Sequence, residues 1–350
     1  MWLWRFAHRR DVTILYVHGV MDSDDRASWI PLRPQLPPRR LAAAIRELSR
    51  HYRFVSLADA VDMLSGRTPV APYSVVLTFD DGYRNNITHA LPILRRHRVP
   101  ATFFLATGHI EHRRPFWFDR LDYALQHAPV AEMEVQVGPA TVRLRAGDRG
   151  ALRGAYKQLR DVAKALPRHD REMQHEMEGI AARLEAESDR KLADVFEEDA
   201  WSAVLTWEEV RQAAGDDVSF GSHTVDHIRL GLVDAEMISD QLVRSKEMIE
   251  ARTGRPCRHF AYPSGSFTPQ AAAIARASGY TAAVTTDEGA NRMGDDLMTL
   301  RRIGLPDTGN MTEVLARVSG LSLAISGLSA RLRAAARGGD RDRRRPSGTR

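Results

Sequence analysis

The feature that most constrains the fold is an alternation of short apolar runs with helical patterns between residues 12 and 305. The apolar runs predict strands at residues 12–17, 53–56, 74–79, 101–106, 218–220, 258–262 and 281–285. The segments between them predict helices near residues 38–51, 57–65, 86–97, 206–214, 234–253 and 268–278. Such alternation predicts parallel strands joined by crossover helices, an α/β fold. About seven such units favour a closed, barrel-like sheet over a two-layer arrangement.

Two regions depart from this alternation. Residues 112–203 contain a predicted hairpin around Gly138 and Pro139, followed by a long charged helical stretch. Because some 90 residues is too long for a connecting loop, we expect a mainly helical insertion in a barrel that spans residues 12–310. A C-terminal amphipathic helix is predicted at residues 311–337, followed by a disordered arginine-rich tail at residues 338–350.

Composition limits the partners and the location of the chain. It is 43% apolar and 27% charged, as in globular proteins, and no stretch approaches the roughly 18 apolar residues of a membrane-spanning helix. The net charge is +5, but the last twenty residues, with eight arginines and two aspartates, carry +6 and the rest of the chain −1, so the charge gives no indication of a nucleic acid partner of the folded body.

Residues 1–11 form a basic leader without the apolar core of a signal peptide, which predicts a cytoplasmic protein. Two membrane contacts are alternatives to a purely cytoplasmic location. Trp2, Trp4 and Phe6 could touch a membrane surface, and the basic C-terminal helix and tail could bind the anionic inner surface of a membrane.

A first candidate site lies where the apolar strand at residues 74–79 runs into Asp80, Asp81 and Gly82. Neighbouring side chains on a strand point to opposite faces, so the two aspartates can face one site only if the strand ends and the backbone turns, as Gly82 allows. The C-terminal ends of parallel strands are where such folds place their active sites. A simple turn in which an aspartate caps the next helix explains the pattern equally well.

A second candidate site follows another short strand, where His223 and His227 lie four residues apart. Histidines at this spacing can share one metal ion, although chance supplies roughly half of one such pair in a chain with 13 histidines. Their position after a strand places them at the same edge as the aspartates. Two imidazoles and one carboxylate suit Zn²⁺ or a related divalent ion with open coordination positions. Cys257 is the only cysteine, which excludes a cysteine-based zinc site.

Two weaker candidates lie at the ends of other predicted strands. Residues 259–265 run from a strand into a turn containing Pro263 and Gly265, which could present backbone N–H groups to a developing oxyanion or be an ordinary loop. His18 ends the first strand, where a lone histidine is more often a hydrogen-bonded core residue than a catalyst.

In this order and at these spacings, the segments resemble the polysaccharide deacetylase family, also called the NodB-homology family or carbohydrate esterase family 4. Residues 78–83 match its Asp-Asp motif and residues 223–227 its His-Ser/Thr-x-x-His motif in full, whereas residues 262–265 match the third motif loosely. The resemblance covers about residues 12–305 outside the insertion. It implies a distorted (β/α) barrel of about seven strands. It also implies an enzyme that removes N-acetyl or O-acetyl groups from sugars of a polysaccharide or a lipid-linked glycan precursor.

The resemblance also implies a role for each residue of the first two motifs. Asp81, His223 and His227 would bind the metal ion, Zn²⁺ or another divalent transition metal, and Asp80 would act as general base. Thr224 would support the metal-binding turn by hydrogen bonding.

In the third motif, the resemblance places substrate and oxyanion contacts at Tyr262, Pro263 and Ser264. A backbone N–H near Ser264 would help to hold the tetrahedral oxyanion.

Two departures from the family pattern concern proton transfer. Better-known members carry an arginine where this chain has Ala261, and a late Leu-x-x-His that supplies the general acid, whereas this chain has no histidine beyond His259. One branch of the family starts with Tyr-His-x-Val, which residues 17–20 match except for a valine in place of the tyrosine, and carries the Phe-Ala-Tyr-Pro sequence found at residues 260–263. In that branch the general acid would be His18. Arg302 could replace the missing arginine in orienting Asp80.

Two other functions stay open from the sequence. Related barrels could hydrolyse another non-peptide C–N bond, such as a sugar formamide or a cyclic amide. The missing late histidine also allows a catalytically inactive barrel that binds a glycan.

Overall fold

The fold is described from a computed structural model that covers residues 2–22, 29–33, 35–129, 132–145, 147–166 and 169–326. The strands in chain order are β1 Thr13–Val17, β2 Arg53–Phe54, β3 Ser74–Phe79, β4 Ala101–Leu105, β5 Glu132–Val137, β6 Ala140–Arg145, β7 Val218–Ser222, β8 His259–Ala261, β9 Ala282–Val284 and β10 Ile303–Gly304. All except β5 and β6 pair in parallel in one sheet, in the spatial order β10-β1-β3-β4-β7-β8-β9, with β2 on the first residues of β3. The seven predicted strands are therefore present, and β10 is an additional one.

The sheet curls into a distorted barrel. At one end β10 pairs with β1, and at the other end Leu300, just before β10, exchanges backbone hydrogen bonds with Ala283 (3.0 Å) and Thr285 (2.8 Å) beside β9. The short segment from Leu300 to β10 thus contacts both ends of the sheet. The predicted fold class is confirmed.

Helices cover the outside of the sheet and also build the insertion. They are α1 Trp2–Ala7, α2 Pro38–Ser49, α3 Leu57–Leu64, α4 Leu91–His97, α5 Thr107–Glu111, α6 Trp117–His127, α7 Arg149–Ala165, α8 Asp170–Ser188, α9 Trp207–Ala213, α10 Ala235–Thr253, α11 Pro269–Ala277 and α12 Met311–Val318. Capping boxes start two of them, with Ser56 and Asp59 at α3 and Thr206 and Glu209 at α9.

The centre of the sheet is apolar and its register is what positions the site. β3 and β4 are buried along their whole length, as expected for parallel strands covered on both faces. Val17, Phe79, Phe103 and Phe220 lie side by side across β1, β3, β4 and β7. The rings of Phe79 and Phe103 stack at 4.8 Å between centroids. His18 and Asp80 come immediately after Val17 and Phe79 of this row.

The insertion predicted at residues 112–203 contains α6, the β5–β6 hairpin, α7 and α8. Most of its buried apolar side chains belong to the same cluster as those of the barrel, and Tyr123, Leu192 and Trp201 form a smaller one with Trp29. Arg120 of α6 forms a double hydrogen bond with Glu185 of α8 (2.9 and 2.6 Å), and Tyr156 of α7 donates to the carbonyl of Phe118 (3.2 Å). The insertion therefore packs as part of the body.

The two ends of the described chain lie against each other. Trp4 of α1 donates its indole N–H to the carbonyl of Ser319 (2.8 Å), so part of the predicted leader is a docked helix. The single helix predicted over residues 311–337 differs from the structure: α12 ends at Val318, Gly320 has a φ of 75°, and helix resumes over residues 321–326. The rest of that helix and the tail lie outside the described residues. Within the described residues, no helix is long and apolar enough to cross a bilayer.

Candidate active site

Residues from separate parts of the chain meet at the carboxyl edge of the sheet. His18 follows β1, Asp80 and Asp81 follow β3, and His223 follows β7. In a parallel sheet these ends lie at one edge. The backbone N–H of Asp80 donates to the carbonyl of Val17 (2.9 Å), which continues the β1–β3 register one residue beyond the strands and brings Asp80 next to His18 in the sheet. These four residues line a cleft, and Ser264, beyond β8, lines the same cleft.

The three predicted metal ligands come together. One donor atom from each of Asp81, His223 and His227 lies within 4.8 Å of the other two. Asp81 Oδ1 is 3.5 Å from Nε2 of His223 and 3.4 Å from Nε2 of His227. Asp81 and His223 are almost fully buried, at 1% and 2% exposed.

The hydrogen bonding of this triad fits a bound cation. Both carboxylate oxygens of Asp81 are buried and accept no hydrogen bond from the described part of the chain, which is costly for a carboxylate unless a cation neutralises it. Nδ1 of His223 lies 2.7 Å from the carbonyl oxygen of Ala261. A carbonyl only accepts, so the proton resides on Nδ1 and the lone pair of Nε2 points toward Asp81. This donor set suits Zn²⁺ or a related divalent ion.

The backbone that presents the ligands adopts an uncommon conformation. Asp81, Thr224 and His227 have positive φ values of 75°, 66° and 52°. For residues other than glycine, each such conformation costs about 1–3 kcal/mol and persists only where the surroundings impose it. Part of that support is the hydroxyl of Thr224, which accepts a hydrogen bond from the N–H of Ile228 (3.2 Å) in the way predicted for it.

Two glutamines hold the His223–His227 turn from outside. Gln241 of α10 accepts hydrogen bonds from the N–H groups of Val225 (3.0 Å) and Asp226 (2.9 Å). Gln174 of α8 donates to the carbonyl of His227 (3.2 Å). Neither glutamine was predicted, because a polar residue on a helix gives no sign in the sequence that it faces a ligand turn.

Asp80 is held by a fully buried arginine. Nη1 and Nη2 of Arg302 each donate to one carboxylate oxygen of Asp80 at 2.7 Å. The guanidinium is fixed by further hydrogen bonds to the carbonyl of Thr285 (2.7 Å) and the hydroxyl of Thr78 (3.1 Å). Burial is the largest single effect on the pKa of Asp80 and would raise it, but the charge and the hydrogen bonds of Arg302, together with the nearby His223 and His18, outweigh burial and lower it. The structure therefore gives Arg302 the position that its predicted orienting role needs.

His18 lines the cleft beside the two aspartates. Its ring lies edge-on to Tyr16, with centroids 5.7 Å apart. Burial lowers the pKa of His18 to about 4, and the nearby cation of Arg33 also favours the neutral form, against the opposite effect of Asp81. The imidazole is therefore neutral at neutral pH.

The third-motif residues divide between cleft and core. Ser264 lines the cleft and has a φ of 54°. Tyr262 instead points into the core, edge-on to Phe260 at 4.8 Å and against Phe267 at 5.1 Å. Its hydroxyl is buried and has no hydrogen-bond partner among the described residues. Pro263 is also buried and is not among the residues that line the cleft, so of this motif the side chain of Ser264 alone reaches it.

The insertion supplies the wall that faces the barrel rim. The lining of the cleft includes Trp117 and Phe118 of α6, Arg160 and Lys164 of α7, and Gln174 of α8. The sequence predicted an insertion without placing any of these residues at the site, because their spacing carries no motif.

Arg33, in the loop between β1 and α2, is another lining residue that the sequence did not reveal. Its Nη1 lies 3.9 Å from Asp81 Oδ2, its Nη2 donates to the hydroxyl of Tyr83 (2.6 Å), and its guanidinium lies over the ring of Phe118 (4.6 Å).

The fold and the site together define a (β/α)-barrel protein with a two-histidine, one-aspartate donor set at the carboxyl ends of its strands. The chain belongs to the polysaccharide deacetylase family, whose sequence pattern matches residues 67–283. The family and enzyme class predicted from the motifs are thereby confirmed.

Individual relatives are more distant. The Bacillus subtilis (strain 168) protein YxkH is 26% identical over 99 residues, which cover 28% of this chain and 36% of that protein. Three solved structures share the fold at low identity. The first is the Streptococcus pyogenes deacetylase PplD in complex with acetate, with a TM-score of 0.57, 19% identity, and coverage of 88% of this chain and 98% of that one.

The other two solved structures align over a similar part of the chain. IcaB from Ammonifex degensii has a TM-score of 0.56 and 19% identity, with coverage of 88% of this chain and 97% of that one. A de-N-acetylase from Aggregatibacter actinomycetemcomitans has a TM-score of 0.53 and 18% identity, with coverage of 87% and 98%. At these identities the likeness establishes a shared barrel.

Proposed function

We propose that this chain is a metal-dependent hydrolase that removes acetyl groups from N-acetylated or O-acetylated sugars of a polysaccharide or a lipid-linked glycan. The observation that carries the proposal is the convergence of Asp81, His223 and His227 beside Asp80, a carboxylate that Arg302 holds in its charged form. Family membership supports the same reaction.

Asp81, His223 and His227 would hold the metal ion, Zn²⁺ or another divalent transition metal. When bound, such an ion polarises an acyl carbonyl and makes water more acidic. The protein contributes a buried carboxylate and an imidazole whose tautomer is set by the carbonyl of Ala261.

Asp80 would act as the general base. Each of its oxygens accepts one hydrogen bond from Arg302, which leaves lone pairs to take a proton from the attacking water. Because Arg302 lowers the pKa of this carboxyl, Asp80 is ionised before substrate arrives.

His18 would deliver the second proton. Amide hydrolysis breaks the C–N bond, and the amine nitrogen must gain a proton to leave. Because His18 is neutral in the free protein, it would first receive the proton that Asp80 takes from the attacking water and then pass it to the amine, and negative charge developing on the substrate would favour that uptake. Backbone N–H groups near Ser264 would help to hold the oxyanion.

Two substitutions test this assignment. Asp80→Asn should keep the metal and lose about 10²–10⁴-fold of the acetate-release rate, because it removes the base and leaves the ligands in place. His223→Ala should lose both metal and activity. His112→Ala, an exposed histidine, is the control and should change neither.

Metal analysis and acetate release on purified full-length protein provide both readouts. Full activity in Asp80→Asn would contradict the base assignment, and stoichiometric metal in His223→Ala would contradict the ligand set. Release of formate in place of acetate from matched formyl and acetyl sugars would favour the alternative C–N hydrolase.

We also propose that the enzyme acts at the cytoplasmic surface of a membrane. The support is the arginine-rich tail together with exposed apolar side chains near the joined chain ends: Leu3 is 75% exposed, Phe6 48% and Ile325 57%. Full-length protein should co-sediment with anionic vesicles and not with neutral ones. A chain ending at residue 330 should lose most of that binding, and unchanged binding would refute the role of the tail.

A further inference from the structure

Part of the lining of the cleft is cationic. Arg33, Arg160, Lys164 and Arg229 all line it, and two of them lie one turn apart on α7. Arg33 already has acidic neighbours, since its guanidinium lies 3.9 Å from Oδ2 of Asp81 and 3.6 Å from Oδ1 of Asp119. Within the described residues, no ion pair joins the other three charges to the triad or to Asp80. The hydrogen-bond and ion-pair partners of these side chains indicate whether each charge stabilises the fold or is available to bind a ligand.

Lys164 and Arg160 have no acidic partner. Nζ of Lys164 has a long contact of 3.4 Å with the hydroxyl of Ser264, and across the described ranges no carboxylate lies within 4.0 Å of it. The guanidinium of Arg160 lies near the rings of Tyr156 (5.1 Å) and Phe118 (5.9 Å), and its Nε is buried without a partner among the residues described.

Arg229 is only partly satisfied. It is 6% exposed, its Nε pairs with Asp170, and its Nη1 donates to the carbonyl of Lys164 (3.0 Å). Its Nη2 is buried and, in the part of the chain that the structure describes, has no hydrogen-bond partner. A guanidinium N–H that is nine-tenths buried in a cleft and unsatisfied is costly, and a bound anion would remove that cost.

The carboxylates of the cleft neutralise only part of this wall. Asp170 pairs with Arg229, and Asp81 lies 3.9 Å from Arg33, whereas Asp80 pairs with Arg302 outside the wall. Within the described residues, the charges of Arg160 and Lys164 have no carboxylate partner. Burial together with the neighbouring arginines lowers the pKa of Lys164 to about 8, which agrees with an excess of positive charge around it.

We propose that Arg33, Arg160, Lys164 and Arg229 form a subsite, here called the cationic wall, for an anionic group of the substrate, a phosphate or a carboxylate. The inference rests on the proposed function: the ligand triad and Asp80 at the barrel rim would act on the acetyl group while the wall binds the anionic group of the substrate. Lys164 contacts Ser264, which adjoins the proposed oxyanion position. The charged group therefore belongs on the acetylated sugar or on its immediate neighbour, as in a phosphorylated sugar or an acidic glycan.

Calorimetric binding to full-length, zinc-loaded protein tests the proposal. The ligands are N-acetylglucosamine 1-phosphate for the phosphate source, N-acetylmuramic acid for the carboxylate source, and neutral N-acetylglucosamine. At low salt, at least one anionic ligand should bind about tenfold or more tightly than the neutral sugar, because charge-assisted hydrogen bonds form at the wall. The arm that shows the preference identifies the source of the charge.

Variants separate the wall from the metal, which can itself bind phosphate. Arg160→Gln combined with Lys164→Gln should remove most of the preference, because Arg33 and Arg229 keep their charge, whereas the charge-conserving pair Arg160→Lys and Lys164→Arg should keep most of it. Arg153→Gln, an exposed position on the same helix, is the control and should behave as wild type. A preference as large in the double glutamine variant as in the wild type would arise from the metal and overturn the proposal, as would the lack of any preference in the wild type.

Acetate release measured on the same ligands distinguishes the two levels of inference. Equal turnover of neutral and anionic sugars would reject the cationic wall and leave the deacetylase proposal standing. Tight, wall-dependent binding without acetate release from any substrate would reject the deacetylase proposal and leave the anion subsite standing.

Discussion

The residues at the barrel rim, Asp80 with Arg302 and the ligand triad, border the same cleft as the cationic wall, but the polar groups of the two sets differ in whether they are satisfied. On the rim, Asp80 and Arg302 are fully buried and satisfy each other through two 2.7 Å hydrogen bonds. On the wall, Arg160 and Arg229 keep buried N–H groups without partners, within the described residues, and Lys164 has no acidic neighbour.

This difference indicates that the rim residues carry out the reaction and that the wall residues select the substrate. A base must be aligned before substrate arrives, and hydrogen bonds from a buried arginine achieve that alignment. A binding wall instead gains from groups that are satisfied only when the correct ligand enters, because a ligand lacking the matching charge leaves them unpaired. The rim is built from strand ends of the barrel, and most of the wall comes from the insertion and the loops.

The largest expected effect on this contrast comes from Arg302→Met. It leaves Asp80 as an unpaired buried charge, so the free energy of unfolding should fall by about 3–5 kcal/mol. Burial would then raise the pKa of Asp80, and the acidic limb of the pH–rate profile should move to higher pH. Stopped assays of acetate release between pH 4 and 9 measure that shift.

Arg301→Met, the exposed neighbour, is the control and should leave the profile unchanged. Metal content should stay stoichiometric in both variants, since neither residue touches the ligand triad. An acidic limb that stays in place in Arg302→Met would show that Arg302 is structural and does not set the protonation of Asp80.

A smaller effect is expected from Gly108→Ala, which tests how tightly the ligand turn is held. The amide of Gly108 donates to the carbonyl of Val225 (2.8 Å), and an added Cβ would lie 2.8 Å from that same oxygen. The turn that carries His223 and His227 must then shift. Metal affinity should fall about 10–100-fold, in line with other losses of support around metal ligands.

Gly154→Ala on α7 is the matched control on the wall side. An added Cβ there has no atom within 4 Å in the described structure, so the change should stabilise the protein by about 0.5–1 kcal/mol and leave metal affinity unchanged. Competition with a chromophoric chelator gives the affinities. Equal affinity in Gly108→Ala and wild type would mean that the turn tolerates displacement.

The contrast also explains what the sequence could predict. Asp81, His223 and His227 were predictable because each lies within a few residues after an apolar strand, and the carboxyl ends of parallel strands lie at one edge of the sheet. Arg302 was predicted as a partner of Asp80 because the resemblance left a missing arginine to be replaced. The eighth strand at Ile303–Gly304 was missed because two residues carry no periodicity.

The wall was beyond sequence reasoning. Arg33, Lys164 and Arg229 lie far apart in the chain and meet only through tertiary packing, and an arginine or lysine on a helix usually indicates a solvated face. Tyr262 shows the converse limit, since a motif position was predicted to meet substrate and its side chain packs in the core. The break at Gly320 was missed because apolar spacing alone continues across it.

The smallest expected effect is a pH dependence of the anion preference. Lys164 is the wall residue whose pKa, about 8, falls in an accessible range, because burial and then Arg160 destabilise its charged form. The charged or titratable groups that face it are Arg33, Arg160, Asp170, His227 and Arg229. An ammonium is charged below its pKa, and a phosphate monoester reaches its full charge above its own second pKa of about 6. The preference for the anionic ligand should therefore be highest near pH 7 and decline as pH rises through 8. Arginine side chains keep their charge over this range, so a severalfold residual preference should remain at pH 10.

Lys164→Arg should remove this decline and keep the preference constant from pH 7 to pH 10, because a guanidinium does not titrate there. Lys164→Gln should show the reduced, high-pH preference throughout that range. Calorimetric titrations with N-acetylglucosamine 1-phosphate at pH 6, 7, 8, 9 and 10 provide the profile. A bound anion stabilises the ammonium, so the midpoint should move above 8 at saturating ligand. A decline that persists in Lys164→Arg would assign the titration to a group on the rim, and the division between rim and wall would then be wrong at this residue.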